Sequence, residues 1–252
     1  MSYIKGELKL RFAFIAVFFL LVSCGIYDYP YINPVPEGNI SRDTNTRIII
    51  RIGNDNVDNP YFTHFIIFYR IYISDAAGRT VINSSDTSAM RAINPSLENH
   101  HIRINSISGG QNVGGGAAYD LLIRTLRFSV LSLYNENIES ILSDSAMGRT
   151  IEINFGHASN PRMSFLDNPG TEYVLVRPHI TTIPDRYFIN NPAQFLLNIT
   201  DLDGDNRDVT DNAVSTKSHS YAAMYLMAAG MNTQTFVPIY SSPVFLGVLL
   251  LP

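Results

Sequence analysis

The residues whose types and spacing could bind a metal are three aspartates at alternate positions, Asp201, Asp203 and Asp205. Calcium takes several oxygen ligands at about 2.3 to 2.6 Å, and carboxylates that alternate along a loop can supply them. A weak calcium site is therefore one hypothesis for this segment. The other is a solvated hairpin turn, because the Asp203-Gly204 dipeptide is a strong hairpin signal. The sequence indicates no other cofactor.

The same segment is similar to the start of an EF-hand loop, in which alternating acidic residues are the first calcium ligands. The remainder departs from that pattern. Gly204 stands at the fourth place of the loop instead of the sixth, and Asn212 stands where a bidentate glutamate is required. The departures favour the hairpin turn.

The histidines show no spacing typical of a metal site, and no Gly-x-Ser-x-Gly element is present. The glycine cluster at 109–116 lacks the lysine and the hydroxyl residue of a phosphate-binding loop, so we interpret it as a flexible loop. A Ser/His/Asp site can still form across strands, since triads are defined by geometry. The histidines are His64, His100, His101, His157, His179 and His219.

The first 24 residues have the order of an export signal. A basic start is followed by an uninterrupted apolar run of 11 residues, 12–22, and then by Cys24, the one cysteine of the chain. A transmembrane helix needs about 20 apolar residues, whereas the apolar region of a signal peptide has about 7 to 15. The run therefore predicts a signal peptide, with a short buried helix as the alternative.

The end of this run, Leu21-Val22-Ser23-Cys24, resembles the lipobox of bacterial lipoprotein precursors. The resemblance implies diacylation of the Cys24 thiol, cleavage before Cys24 and acylation of the new amino group. Several acyl chains make membrane anchoring durable, whereas one chain holds a protein only reversibly. An ordinary secreted protein is the alternative. In the lipoproteins that this segment resembles, aspartate after the cysteine often indicates retention in the inner membrane; Gly25 stands there instead, so the resemblance favours the outer membrane.

We divide the chain into a signal peptide (1–23), a lipidated tether (24–46) and a globular domain (47–252). The tether is rich in proline and tyrosine. Proline-rich chain extends by about 3.1 Å per residue, so the tether could hold the domain up to about 70 Å from the bilayer. Alternating tyrosines in it, among them Tyr31, would dock on the domain or touch lipid headgroups.

The charge of the chain disfavours nucleic acid as a partner. Loss of the signal peptide changes the formal charge from −4 to −6. A nucleic-acid-binding protein needs a basic face that displaces counterions from phosphates. The mature chain is also long enough to bury a core without disulfides.

β-Branched and aromatic runs between Asn, Pro and Gly breaks predict many short strands. In the run 61–74, aromatic and β-branched residues occupy the positions of both strand faces. This predicts a central strand covered on both faces, with a buried helix as the alternative. The run 119–134 fits strand and helix, and we favour strand. One helix is predicted at 136–143, and an irregular connection at 84–94. The remaining predicted strands are 47–52, 101–107, 149–155, 162–166, 172–177, 194–200 and the apolar runs within 221–251.

Residues 46–74 and 221–251 resemble the two ends of a fibronectin type III domain, with the tyrosine-rich run Phe68-Tyr69-Arg70-Ile71-Tyr72 and with Ser241-Ser242-Pro243 before the last strand. The resemblance implies an all-β fold, an immunoglobulin-like or fibronectin type III-like β-sandwich with long insertions and one or two short helices. The chain lacks tryptophan, and 75–220 is longer than the middle of that family. That region therefore contains insertions or a second β unit.

These features predict a lipid-anchored protein of the bacterial cell envelope, in which a non-enzymatic β-sandwich binds a partner or has a structural role. The expected partners are the membrane, through the lipid on Cys24, and a protein or glycan. The alternative function is an envelope hydrolase or a substrate-delivery lipoprotein with a site built from loops, so the enzyme class stays open.

Overall fold

The computed structural model describes residues 30–75, 83–108, 115–156, 161–177, 208–210 and 219–251. The chain divides into two compact units, Met1–Pro30 and Tyr31–Pro252. The fold below is that of the second unit.

One sheet has the strand order β1-β2-β6-β7-β8-β5, and neighbouring strands in it are antiparallel. In β2 and β6 alternate isoleucines are buried, which is the pattern of a sheet with one face on a core. The strands are β1 (Ile40–Thr44), β2 (Arg47–Arg51), β5 (Ser132–Leu133), β6 (Thr150–Asn154), β7 (Arg162–Phe165) and β8 (Asn168–Val176).

The other sheet is built on two long antiparallel strands, β3 and β10, which pair over almost their whole length. Strands β11 and β12 pair with β10, and β4 and β9 pair with β3, so both long strands are central. The strands are β3 (Phe62–Ser74), β4 (Ser129–Val130), β9 (Val209–Thr210), β10 (His219–Met231), β11 (Pro238–Tyr240) and β12 (Val244–Leu251).

The two sheets pack face to face around one core. Ile48 and Ile50 of β2 meet the same cluster as Ile67 and Ile71 of β3, and all four are buried. Full burial of an isoleucine side chain contributes about 1.5–3 kcal/mol, so this interface is the main source of stability in the sandwich.

Helices cover the outer face of the second sheet. Phe68 and Tyr72 of β3 point there and pack with Met90 and Ile104 in a second buried cluster. Because both faces of β3 are covered, the strand carries apolar residues on both of them. The helices are α1 (Thr87–Ile93), α2 (Pro95–Ser108) and α3 (Gly115–Asp120), which continues into a π-helical turn at Leu121–Thr125; a short helix α4 (Ile138–Ile141) lies elsewhere, against β3.

The predicted all-β sandwich is confirmed, and so is the central position of the strand predicted at 61–74. Strands also occupy the predicted ranges near 47–52, 149–155 and 162–166. The helix predicted at 136–143 is present but shorter, and the Asn137 side chain caps it by accepting from the Glu139 amide at 2.9 Å. The strand predicted at 194–200 lies outside the described residues.

The strand predicted at 101–107 is wrong, because these residues belong to α2. Leu97, His101 and Ile104 are buried at helical spacing. Helix α1 likewise occupies most of the predicted irregular connection at 84–94. The strand favoured for 119–134 is wrong up to Thr125, where the chain is helical.

The tether predicted at 24–46 is corrected in its second half. Residues 40–44 form β1, paired with β2, and the preceding Ile32 and Val35 are buried in the core between the sheets. The folded unit therefore begins at Tyr31 instead of residue 47.

Candidate functional site

The chain enters the sandwich at one end, which we call the proximal end. Residues 31–39 cross it before β1, and the loops 52–61, 166–167 and 231–237 join strands there. Three contacts place these loops together: Ile40 pairs with Ile50, the Met231 amide donates to the Tyr61 carbonyl at 2.9 Å, and the Leu166 amide donates to the Thr150 carbonyl at 2.9 Å.

Exposed apolar side chains are concentrated at the proximal end. In the described part of the chain, seven large apolar residues are exposed, and six of them lie there. Of these seven described residues, Ile102 on α2 is the one that lies elsewhere. Single exposed apolar residues are ordinary, but several at one place indicate an interaction surface. The six are Tyr31, Val57, Leu166, Met231, Phe236 and Val237.

The most exposed of these residues stand on the hairpin loop between β10 and β11. Phe236 is 75% exposed and Val237 is 56% exposed. The loop is ordered by the Asn232 side chain, whose Oδ1 accepts from the Gln234 amide at 2.9 Å and from the Thr235 amide at 3.1 Å. The Phe236 amide donates to the Asn232 carbonyl at 2.7 Å, so the loop presents Phe236 in a fixed position.

Phe236 adopts a backbone conformation that large residues avoid. Its φ is +56°, in the left-handed region, which costs an ordinary residue roughly 1–2 kcal/mol. Because its side chain is exposed, burial does not offset this cost. Strained residues of this kind are concentrated at functional sites, which makes Phe236 a candidate contact residue.

The hairpin is fixed to the sandwich at Gly230. A β-carbon at this position would overlap the Tyr61 carbonyl oxygen and approach Ile32 Cδ1 at 2.6 Å. Only glycine therefore lets β10 pass so close to the start of β3. This close approach joins the hairpin to the segment where the chain enters.

Asparagine side chains tie that segment to the loop 52–61. The Asn56 side chain is buried; its Oδ1 accepts from the Asn33 amide at 2.8 Å, and its Nδ2 donates to the Asn33 carbonyl at 2.9 Å. Asn59 Nδ2 donates to the Tyr31 carbonyl at 2.8 Å. These bonds hold Tyr31 and its neighbours on the domain.

A second set of candidate groups lies between α2 and the central strands. His100 Nδ1 is 2.7 Å from the Tyr72 hydroxyl, and His101 Nδ1 is 2.7 Å from the Tyr225 hydroxyl. His101 Nε2 is also 2.7 Å from the Ser84 carbonyl oxygen. Both histidines therefore join the helical layer to the sheet.

Burial keeps these two histidines neutral at pH 7. Burial, followed by the charges of Arg70 and Arg103, lowers the pKa of His100 to about 4. Burial also lowers the pKa of His101. Their contacts go to tyrosine hydroxyls and to backbone or amide groups, so both rings are used in bonds within the fold.

A buried ion pair lies toward the opposite, distal end of the sandwich. Arg177 binds Asp208 through two hydrogen bonds of 2.8 and 2.6 Å, and the Tyr69 hydroxyl donates to the same carboxylate at 2.9 Å. Beside it, Arg70 donates to the Leu126 carbonyl at 2.8 Å. Asp208 belongs to the acidic run of the sequence, and here it is a structural partner of arginine.

The predicted site residues lie outside the described residues: Cys24, Asp201, Asp203 and Asp205. Among the residues that the structure describes, no group of three or more His, Cys, Asp or Glu side chains is placed to hold a metal ion. The hypothesis of a weak calcium site therefore stays a prediction.

Sequence reasoning missed the proximal end. A signal was available, because 231–238 is an uncharged segment with Met231, Phe236 and Val237 between two strands. The grouping of these residues with Tyr31 and Val57 depends on the packing of distant loops, which spacing does not reveal.

No described helix has the length and apolar character that a membrane span requires. Comparison with known proteins gave no match to a family model, to a curated protein or to a solved structure. The fold and the exposed residues define the chain only as a β-sandwich with a helical layer and an apolar proximal end.

Proposed function

We propose that this chain is a lipid-anchored protein of the bacterial cell envelope, with Cys24 as the lipidated residue and the outer membrane as its location. Its β-sandwich is a non-enzymatic binding or structural module. The anchor rests on the resemblance of Leu21-Val22-Ser23-Cys24 to a lipobox, and the binding role is carried by the concentration of exposed apolar residues at the end where the chain enters the domain. A surface of this kind contacts a partner and needs no reacting group.

The buried polar groups also support a non-enzymatic role. His101, Arg70 and the Arg177–Asp208 pair are used in hydrogen bonds that join secondary-structure elements. A catalytic site brings titratable groups together in a cleft where a substrate can reach them. The described parts of the chain place these groups inside the fold instead.

The proposal is tested on the full chain produced in a bacterial host, together with a Cys24→Ser variant. We expect the parent protein in the membrane fraction, with an N-terminal peptide whose mass corresponds to an acylated cysteine at position 24. The variant should lose that mass and leave the outer-membrane fraction. An unmodified Cys24 in a mature, soluble protein would contradict the proposal.

A further inference from the structure

We infer that the proximal end lies on the surface of the lipid bilayer, with Phe236 and Val237 inserted at the boundary between headgroups and acyl chains. The inference rests on the proposed anchor at Cys24. It names the partner of the apolar proximal end as a lipid surface.

The chain between Cys24 and the folded unit is short. Because the folded unit begins at Tyr31, seven residue steps separate it from Cys24. A fully extended chain covers at most about 3.6 Å per residue, so Tyr31 lies within about 25 Å of an anchored Cys24. A tether as long as 24–46 would not have restricted the domain in this way.

The sandwich is longer than this connection. Strand β3 has 13 residues, which at about 3.3 Å per residue span about 40 Å. The distal end therefore lies farther from Tyr31 than the whole connection to Cys24 can reach. The proximal end is the part of the domain that the anchor holds next to lipid, at a high effective concentration.

The chemistry of the hairpin fits the lipid boundary. Residues 231–238 carry no charge, and they present one aromatic and two aliphatic side chains to solvent. Such residues bind bilayers by inserting apolar area at the interface. The neighbouring loop contains Asp55 and Asp58, so attraction to anionic lipid is not the driving force. Contact with lipid should therefore need no anionic lipid: it should occur on zwitterionic vesicles, and added salt should not weaken it.

The inference is tested on the acylated full chain in phosphatidylcholine vesicles. Acylation of Cys24 leaves no other thiol, so a single introduced cysteine can carry a polarity-sensitive fluorophore. The label is placed by Val237→Cys, with Phe236 retained. A control label is placed by Ile102→Cys, since Ile102 is exposed on α2, away from the proximal end. Lipids carrying a nitroxide near the headgroup quench fluorophores that enter the interface.

We expect the label at position 237 to shift to shorter emission wavelengths and to be quenched severalfold more than the label at 102. Adding Phe236→Ser to the Val237→Cys chain should reduce that quenching. Equal, weak quenching of both labels on an acylated protein would overturn the inference and leave the proposed anchor intact.

Two further outcomes would show that the proximal end binds a partner other than lipid. An emission shift at 237 that depends on protein density, without quenching by the lipid nitroxide, would overturn the inference in favour of a second copy of this chain. A label that is exposed on pure lipid and buried only in native envelope membranes would overturn it in favour of an envelope protein. A mass spectrum with unacylated Cys24 would instead refute the proposed function.

Discussion

The two ends of the sandwich differ in where they place apolar and charged groups. The proximal end exposes Phe236 and Val237, whereas the distal half buries the Arg177–Asp208 ion pair. Exposed apolar residues contribute little to folding, and buried ion pairs are costly to break. The difference indicates that the charged groups of the distal half are used inside the fold, while the proximal end is available for contact with a partner.

Breaking the buried ion pair should have the largest effect on stability. In Asp208→Asn the Arg177 guanidinium stays buried without its counter-charge, so the free energy of unfolding should fall by about 3–5 kcal/mol. Urea denaturation measures this change. The matched control is Asp167→Asn, which removes an exposed partner of Arg149 and should cause a much smaller loss. Equal losses would show that the distal pair has no special structural role.

A β-carbon at position 230 should disturb the junction between the hairpin and the entering chain. Gly230→Ala forces the backbone at Tyr61 to move, and we expect a loss of about 1–3 kcal/mol in thermal or urea unfolding. Gly116→Ala is the control, because no atom lies within 4 Å of the added carbon apart from its chain neighbours and the backbone of its own helix, and alanine favours a helix. If both variants are equally stable, the close approach at Gly230 does not fix the hairpin.

Acid should loosen the contact between the helical layer and the sheet. The pKa of His100 in the folded chain, about 4, lies below the value of about 6.5 for an exposed histidine, because its ring is buried. The neutral ring therefore stabilises the fold fully above about pH 6.5, and this contribution is lost as the pH falls toward 4.

Unfolding free energies measured between pH 7 and pH 5 check this dependence. His100→Gln should give a flatter curve than the parent chain across that range. A parent chain whose stability does not change between pH 7 and pH 5 would contradict the burial of neutral histidines between α2 and the sheet.

Relief of strain at Phe236 should separate stability from contact. Asparagine tolerates positive φ, so Phe236→Asn should raise the free energy of unfolding by up to about 1 kcal/mol while it reduces quenching by lipid. Val237→Asn, which relieves no positive φ, should reduce contact without a gain in stability. A Phe236→Asn variant that is less stable than the parent chain would show that Phe236 serves folding.

The central strands could be predicted from the sequence because β3 and β10 carry β-branched, aromatic and small apolar residues in both phases. Helix α2 could not be predicted from 101–107, where apolar and polar residues alternate as in a strand. Its signal lies earlier, with Pro95 at the first helical position and the Asn94 side chain accepting from the Ser96 amide at 2.9 Å.

The proximal end is the part of the fold that the sequence predicts least well. Burial of Ile32 and Val35 decides where the tether ends, and this burial depends on contacts with residues far along the chain. Local composition indicates only a proline-rich segment there. Lipidation of Cys24, by contrast, is predicted entirely from the local sequence, and no described residue tests it.

The orientation of the domain on the membrane can be measured most directly with a spin label at position 237 of the acylated chain on vesicles. Power saturation compares access of oxygen, which concentrates in lipid, with access of a water-soluble nickel chelate. If the proximal end lies on lipid, oxygen reaches the label at 237 more readily than the chelate does. A label at 237 that the chelate reaches as easily as it reaches a label at 102 would show that the proximal end does not lie on the bilayer.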